Sequence, residues 1–245
     1  MTNSIMCINS YAEEFRVAEY ECDAAGNMTP GAILRRAQQI ATDQCTLLGL
    51  TEDVYRRTHT AFLLAKTAME VHTPIHVGTK MKIETHPCAA QRAVYLRHTA
   101  LYGPDGTVLC DIDSRWVLVD TETRRILRRT PEELPMPFII QEVPQLDHTL
   151  LKGAAEPDGT EAATYTRCDK NRHLNNTFYA DIICDHVPLA QMTKQTPVRL
   201  AIVYHSEIPM GTGFTLLRAQ TAENRWYFCG AGGEKKHFEA DLTLG

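Results

Sequence analysis

The chain repeats itself. "HTPIHVGTKMKI", starting at His72, and "HSEIPMGTGFTL", starting at His205, share His, Ile and Gly-Thr at matched places, an offset of 205 minus 72, or 133. A second pair, "ECDAAGNMTP" at 21–30 and "RCDKNRHLNN" at 167–176, shares Cys-Asp at an offset of 169 minus 23, or 146. Two matches in the same order imply a duplicated unit, each copy burying a face that it cannot bury alone. The offsets differ by 13 residues, so the second copy is predicted to lack that length between its helix start and its next long strand.

Each half has the same predicted element order. In the first, Ile33, Leu34, Ala37, Ile40, Ala41, Cys45 and Leu48 recur at helical spacing, with Thr29 as N-cap, Pro30 at the first helical position and Gly49 at the stop. "KMKIETH" then alternates polar and apolar residues at the strand period, and the tracts 92–102 and 108–119 flank the turn "GPDG" as a long hairpin. In the second half, Phe178, Tyr179, Ile182, Ile183, His186 and Val187 share a helical face that Pro188 limits. Strand tracts follow at 198–207, 214–221, 225–231 and 236–244, with "AGG" at 231–233 as the last turn. Between the halves, Pro131, Pro135, Pro137 and Pro144 break any period. The expected organisation is a domain over 1–130, a Pro-rich linker over 131–150 and a domain over 151–245. The fold class is α+β: a long helix wrapped by a curved antiparallel sheet, twice over, which is a tandem (double) hotdog arrangement.

Composition excludes several functions. The formal charge of −5 disfavours nucleic acid as a partner. No apolar run reaches the roughly 20 residues of a membrane-spanning helix, and "MTNSIMCINSYAEEF" lacks the pattern of a signal or transit peptide, so a cytoplasmic location is expected. Eight scattered cysteines without a C-x-x-C pair suggest reduced thiols, with neither a disulfide framework nor a structural zinc site. No metal and no cofactor are expected. Arg124, Arg125, Arg128 and Arg129 crowd into "TRRILRRT", either as solvated surface charge or as a dock for an acidic partner.

"DKNRHLNN", the later "VYHSEI" and "SRWVLVDTETRRILRRTP" closely resemble the acyl-acyl-carrier-protein thioesterases of plant plastids and bacteria, over nearly the whole chain from about residue 10. The resemblance implies hydrolysis of fatty acyl thioesters of acyl carrier protein to free fatty acid and holo carrier, ending chain elongation. It also implies a site at Asp169, Asn171, His173 and Glu207, and an acyl chain held in the N-terminal half; Ile33, Leu64, Met69 and Met81 are candidate liners there, each more often plain core, and no lining residue is assigned.

Thioester hydrolysis needs an activated water, a base and donors for the oxyanion. Asp169 and Glu207 are both candidate bases, His173 transfers protons near neutrality, and Asn171 orients water or carbonyl. By analogy with Thr29, Asn175 is expected to cap the second helix, whose backbone N–H groups would favour nearby negative charge. Plant members carry a cysteine after that glutamate; here Ile208 stands there, which leaves carboxylate-assisted attack by water. The first copy has Ala25, Asn27 and Pro74 in place of Asn171, His173 and Glu207 but keeps Asp23, so Asp169 has a partly architectural reading. Other readings are an acyl-coenzyme A thioesterase, a hotdog enoyl-thioester hydratase and a non-catalytic acyl-thioester sensor. A monomeric pseudo-dimer and a homodimer both fit.

Overall fold

The computed structural model describes residues 10–134, 142–143 and 145–245. Thr29 Oγ1 accepts from Ala32 N at 3.2 Å, Pro30 opens helix α1 (Pro30–Leu47), and Gly49 leaves it at φ +85. The short helix α2 (Glu52–Arg57) follows. Strands β1 (Tyr11–Arg16), β2 (Thr60–Val71), β3 (Lys80–Gln91), β4 (Val94–Tyr102) and β5 (Val108–Asp120) complete the first half. The second half contains β6 (Glu156–Ala162), α3 (Phe178–Asp185), α4 (Leu189–Met192), β7 (Pro197–Tyr204), β8 (Gly213–Ala222), β9 (Arg225–Gly232) and β10 (Lys235–Leu244). The last turn is Gly233–Glu234, while Ala231 and Gly232 remain in β9.

All ten strands form one antiparallel sheet, ordered β1-β3-β4-β5-β2-β7-β10-β9-β8-β6. The order is palindromic: each strand of the first half has its counterpart at the mirrored place, with β2 and β7 meeting at the centre. Their register puts Ala68 opposite Ala201, a separation of 201 minus 68, or 133, so the local twofold axis passes through a residue paired with its own equivalent. The sequence offset thus reappears as strand register.

The axis also passes between the helices. Arg35 of α1 and Asp181 of α3 are equivalents at the offset of 146, and Arg35 Nη1 lies 2.6 Å from Asp181 Oδ2. Two identical copies would place like charges here, whereas the duplicated chain places opposite ones. The Arg35 guanidinium also stands over the Phe178 ring, 5.2 Å from its centroid. Asp181 in turn closes on the helix start of α1, where Gly31 leaves it room: a Cβ there would come within 1.8 Å of Asp181 Oδ1.

The principal core fills the space between the helices and the concave face, from Ile33, Ile40, Met69 and Met81 in one half to Tyr179, Ile183, Phe228 and Phe238 in the other. The second half has the shorter helix, as the two offsets predict: α3 has 8 residues against 18 in α1. This is where the 13-residue difference between the offsets falls.

Of the linker prolines, Pro135, Pro137 and Pro144 lie outside the described residues. Residues 145–155 form neither helix nor strand and run over the sheet face away from the helices, fixed by two buried aspartates. Asp113 of β5, opposite Ala68, accepts from Leu146 N at 3.3 Å and lies 3.0 Å from His148 Nε2. Asp241 of β10, opposite Ala201, accepts from Leu151 N at 2.8 Å and from Arg199 and Arg225. Beside them lies Glu239. Burial alone would raise its carboxyl pKa, but hydrogen bonds from Lys152, Tyr227, Lys236 and His205 outweigh that and hold it far below the usual carboxylate range.

Asp181→Arg should therefore lower stability by roughly 1 kcal/mol, a modest figure because the pair is partly solvated. Adding Arg35→Asp should recover most of the loss. Urea unfolding of the single and double variants checks this, and a double variant no more stable than the single would show that the axis pair is inert.

Candidate active site

The two copies of the Cys-Asp loop have the same backbone. Asp23 N donates to Asn27 O at 2.8 Å, and Asp169 N to His173 O at 2.9 Å. Asp23 Oδ1 accepts from Ala25 N and Asn27 N, and Asp169 Oδ1 from Asn171 N and His173 N. Met28 N donates to Ile75 O and Leu174 N to Ile208 O, which laces each loop to the segment leading into β3 or β8. One position differs in strain. Gly26 takes φ +79 without cost, while its equivalent Arg172 takes φ +62, a left-handed conformation that costs a side-chain-bearing residue roughly 1–2 kcal/mol.

On this shared backbone the second copy places its side chains. His173 Nδ1 lies 3.5 Å from Glu207 Oε1, an ion-pair distance longer than a hydrogen bond. Both are within reach of solvent, at 28% and 45% side-chain exposure. Asn171 Nδ2 donates to Asp169 Oδ2 at 3.3 Å. The structure therefore joins Glu207 with His173, and Asp169 with Asn171, while Asp169 Oδ1 is committed to the loop. Ile208 is fully buried in the core, so the side chain after Glu207 points away from the site.

The helix start differs from expectation. Thr177, not Asn175, occupies the N-cap position of α3, and its side chain makes no capping bond. Asn175 acts one turn earlier: its Oδ1 accepts from Thr177 N at 3.0 Å and Thr177 Oγ1 at 2.8 Å, and its carbonyl from Phe178 N at 3.0 Å. Those two backbone donors are thus already engaged.

A narrow hollow of about 30 Å³ is lined by Asn176, Thr177 and Tyr204, next to the loop copy that carries Asn171 and His173, hereafter the armed loop, and lies between α1 and the sheet. Tyr204 Oη donates to Asn176 O at 3.1 Å, and its ring packs edge-on to Tyr179. The hollow shares Gln38, Ala41, Arg97 and Trp116 with a cavity of about 400 Å³ in the N-terminal half. That cavity is walled mainly by Cys45, Leu50, Tyr55, Phe62, Tyr95 and Leu96. From Thr67 beside the first hollow to Phe62 beside the second is five residues of β2, about 17 Å at the usual strand rise. Of the expected liners, Leu64 lines the narrow hollow, but Met69, Met81 and Ile33 are packed into the principal core and line neither. Arg97, buried in this wall, donates to Gln44 Oε1 at 2.5 Å and Thr85 Oγ1 at 3.0 Å.

Arg124, Arg125, Arg128 and Arg129 are all exposed, in the turn after β5. Thr121 N donates to His59 O, tying this turn to the end of α2, and Lys170 of the armed loop pairs with Glu52 at its start (2.6 Å). Helix α2 thus spans the distance between the arginine turn and the loop. Among the described residues no group of His, Cys, Asp and Glu could hold a metal ion, the seven described cysteines are free, and no helix is long and apolar enough to cross a membrane.

Residues 8–136 match the model of the acyl-ACP thioesterase N-terminal domain and residues 162–235 that of the C-terminal domain. Oleoyl-acyl carrier protein thioesterase 2, chloroplastic, of Arabidopsis thaliana is 24% identical over 204 residues, 73% of this chain and 54% of that protein. The chain thus spans about half the length of this curated relative. The fold matches a putative oleoyl thioesterase from Lactobacillus plantarum, with TM-score 0.83 and 22% identity over 96% of this chain and 95% of the other. It also matches the 12:0-ACP thioesterase from Umbellularia californica, with TM-score 0.82 and 17% identity over 96% and 97%. The tandem hotdog architecture is shared throughout, and the matched models cover both halves: this chain belongs to the acyl-ACP thioesterase family.

Proposed function

We propose that the protein hydrolyses fatty acyl thioesters of acyl carrier protein, releasing free fatty acid and holo carrier and so ending chain elongation. What supports this reading is the His173–Glu207 pair, present in one copy of a duplicated loop whose following residues Asn176 and Thr177 line the narrow hollow toward the other half. In this scheme Glu207 and His173 take a proton from water, and the hydroxide adds to the thioester carbonyl. Asn171 donates toward the carbonyl oxygen, and its amide is oriented by Asp169. Collapse expels the carrier thiolate, which takes from His173 the proton that came from water, and the carboxylic acid leaves as its anion, giving its own proton to solvent. Glu207, not Asp169, is the carboxylate partner of this cycle, because Asp169 Oδ1 already serves two backbone donors.

The acyl chain lies in the N-terminal half. It passes Tyr204 and Trp116 and ends among Tyr55, Phe62 and Tyr95, a mostly apolar channel that gains roughly 25 cal/mol for each Å² of chain removed from water. The domain division at 1–130 and 151–245 puts chain binding in the first domain and hydrolysis in the second. The carrier docks on the arginine turn and α2, close enough to present its acyl group to the loop. The protein acts in the cytoplasm.

His173→Ala should lower kcat by roughly 10²- to 10⁴-fold while the fold survives, as judged by circular dichroism and steady-state turnover of acyl-carrier substrates. Unchanged turnover would remove His173 from the chemistry.

Asp23→Ala and Asp169→Ala should cost similar stability, about 1–2 kcal/mol each, since each aspartate accepts the same two backbone N–H groups. Only Asp169→Ala should also impair turnover. Equal, small effects on turnover would make Asp169 purely architectural.

Charge reversal at Arg124 and Arg128 should raise KM several-fold for the carrier substrate, more at low salt, and leave KM for a coenzyme A thioester nearly unchanged. Equal effects on both substrates would reject a carrier-specific dock.

A further inference from the structure

Glu207 sits in the segment joining β7 to β8, and that segment is held from two sides. On one side is the armed loop, where Ile208 O accepts from Leu174 N at 2.9 Å and Met210 N donates to Arg172 O at 2.8 Å. On the other side is β10. His205 N and Ser206 N both donate to His237 O, at 2.8 and 3.1 Å. Ser206 Oγ donates to Lys236 O at 3.2 Å and lies 2.9 Å from His237 Nδ1. With the hydroxyl proton directed at the carbonyl, the ring contact requires Nδ1–H to donate to Ser206 Oγ. His237 is 6% exposed, its ring edge-on to Phe214 and close against Gly232, where a Cβ would come 2.7 Å from Nε2. Desolvation depresses the pKa of this imidazole, which favours the neutral form.

The first copy supplies an internal control. There His72 N and Thr73 N donate to Leu109 O, at 2.9 and 3.4 Å, with the same backbone pattern. Leu109 stands at the place of His237, Thr73 at that of Ser206 and Pro74 at that of Glu207. The scaffold evidently needs the two backbone bonds but not the imidazole. The imidazole occurs where the carboxylate does.

We propose that His237 is a positioning residue for Glu207: its ring clamps Ser206 to β10 and so fixes the direction in which the next side chain meets His173. This rests on the reading of Glu207 as the partner of His173. The clamp acts on the first-formed geometry of the pair and touches neither substrate nor reacting atoms.

A double-mutant cycle tests it. His237→Leu, which installs the residue found in the first copy, should lower kcat about tenfold with KM unchanged, the scale expected for a small misplacement of a catalytic group. His237→Asn, which keeps an N–H near the Nδ1 position, should recover most of the loss, and Ser206→Ala should reproduce it without disturbing the buried ring. In a Glu207→Gln background, His237→Leu should cost nothing further. An equal loss in both backgrounds would overturn the proposal and make His237 general scaffold. So would wild-type kcat in folded His237→Leu or Ser206→Ala protein. Full turnover by Glu207→Gln alone would instead overturn the reading of Glu207, and the clamp with it.

Discussion

The antiparallel pairing of β2 with β7 is the constraint on which the rest of this structure depends. It joins two five-stranded sheets into one, sets the local twofold axis at Ala68 and Ala201, and thereby fixes where each helix start faces the other half's helix. A slip of one residue here would turn every side chain of one half to the wrong face. The Arg35–Asp181 pair across the same axis adds specificity more than energy, because equivalent positions in identical copies cannot carry opposite charges. Asp113 and Asp241 secure the opposite face, each opposite one of the two central alanines and each holding part of the connecting segment.

Fusing the copies in one chain frees them to diverge. The backbone of the Cys-Asp loop, its bonds to the following segment and its left-handed residue are the same in both halves, so the side-chain differences are not demanded by the fold. Asn171, His173 and Glu207 against Ala25, Asn27 and Pro74 are the chemical part of that difference. Arg172 against Gly26 is a costlier one, since the first copy shows that glycine satisfies the same turn without strain. In the other direction, the long helix and the cavity beneath it belong to the first half, while the second has only the short α3.

Much of this was legible in the chain because it rests on local rules. Thr29, Pro30 and Gly49 bracket α1 as capping chemistry requires, and alternation and turn signals mark β4, β5 and β7 to β10 to within a few residues, while the central β2 carries no such mark. The repeat was legible as well, since residues bound to the same backbone hydrogen bonds keep the same spacing. What stayed hidden depends on contacts between distant residues. His237 lies in a strand whose alternation says only that some side chain faces inward, and its meaning comes from Ser206, 31 residues away. The cavity wall is not legible for Met69, Met81 and Ile33, which take the core alternative, because helical and strand periods identify a buried face without saying whether its neighbour is protein or empty space. Asn175 illustrates a finer limit: it serves the helix start as expected, but through a preceding turn that shifts the N-cap to Thr177.

In the proposed division of labour, one half binds the acyl chain that the other half cleaves. The most direct measurement is a crystal structure with a non-hydrolysable acyl amide analogue of the carrier-arm thioester. The amide carbonyl is expected within hydrogen-bond reach of the His173 and Asn171 side chains, with the tail running past Trp116 toward Tyr55 and Phe62. A tail lodged in the C-terminal half, or a carbonyl at the Asp23 loop, would contradict it.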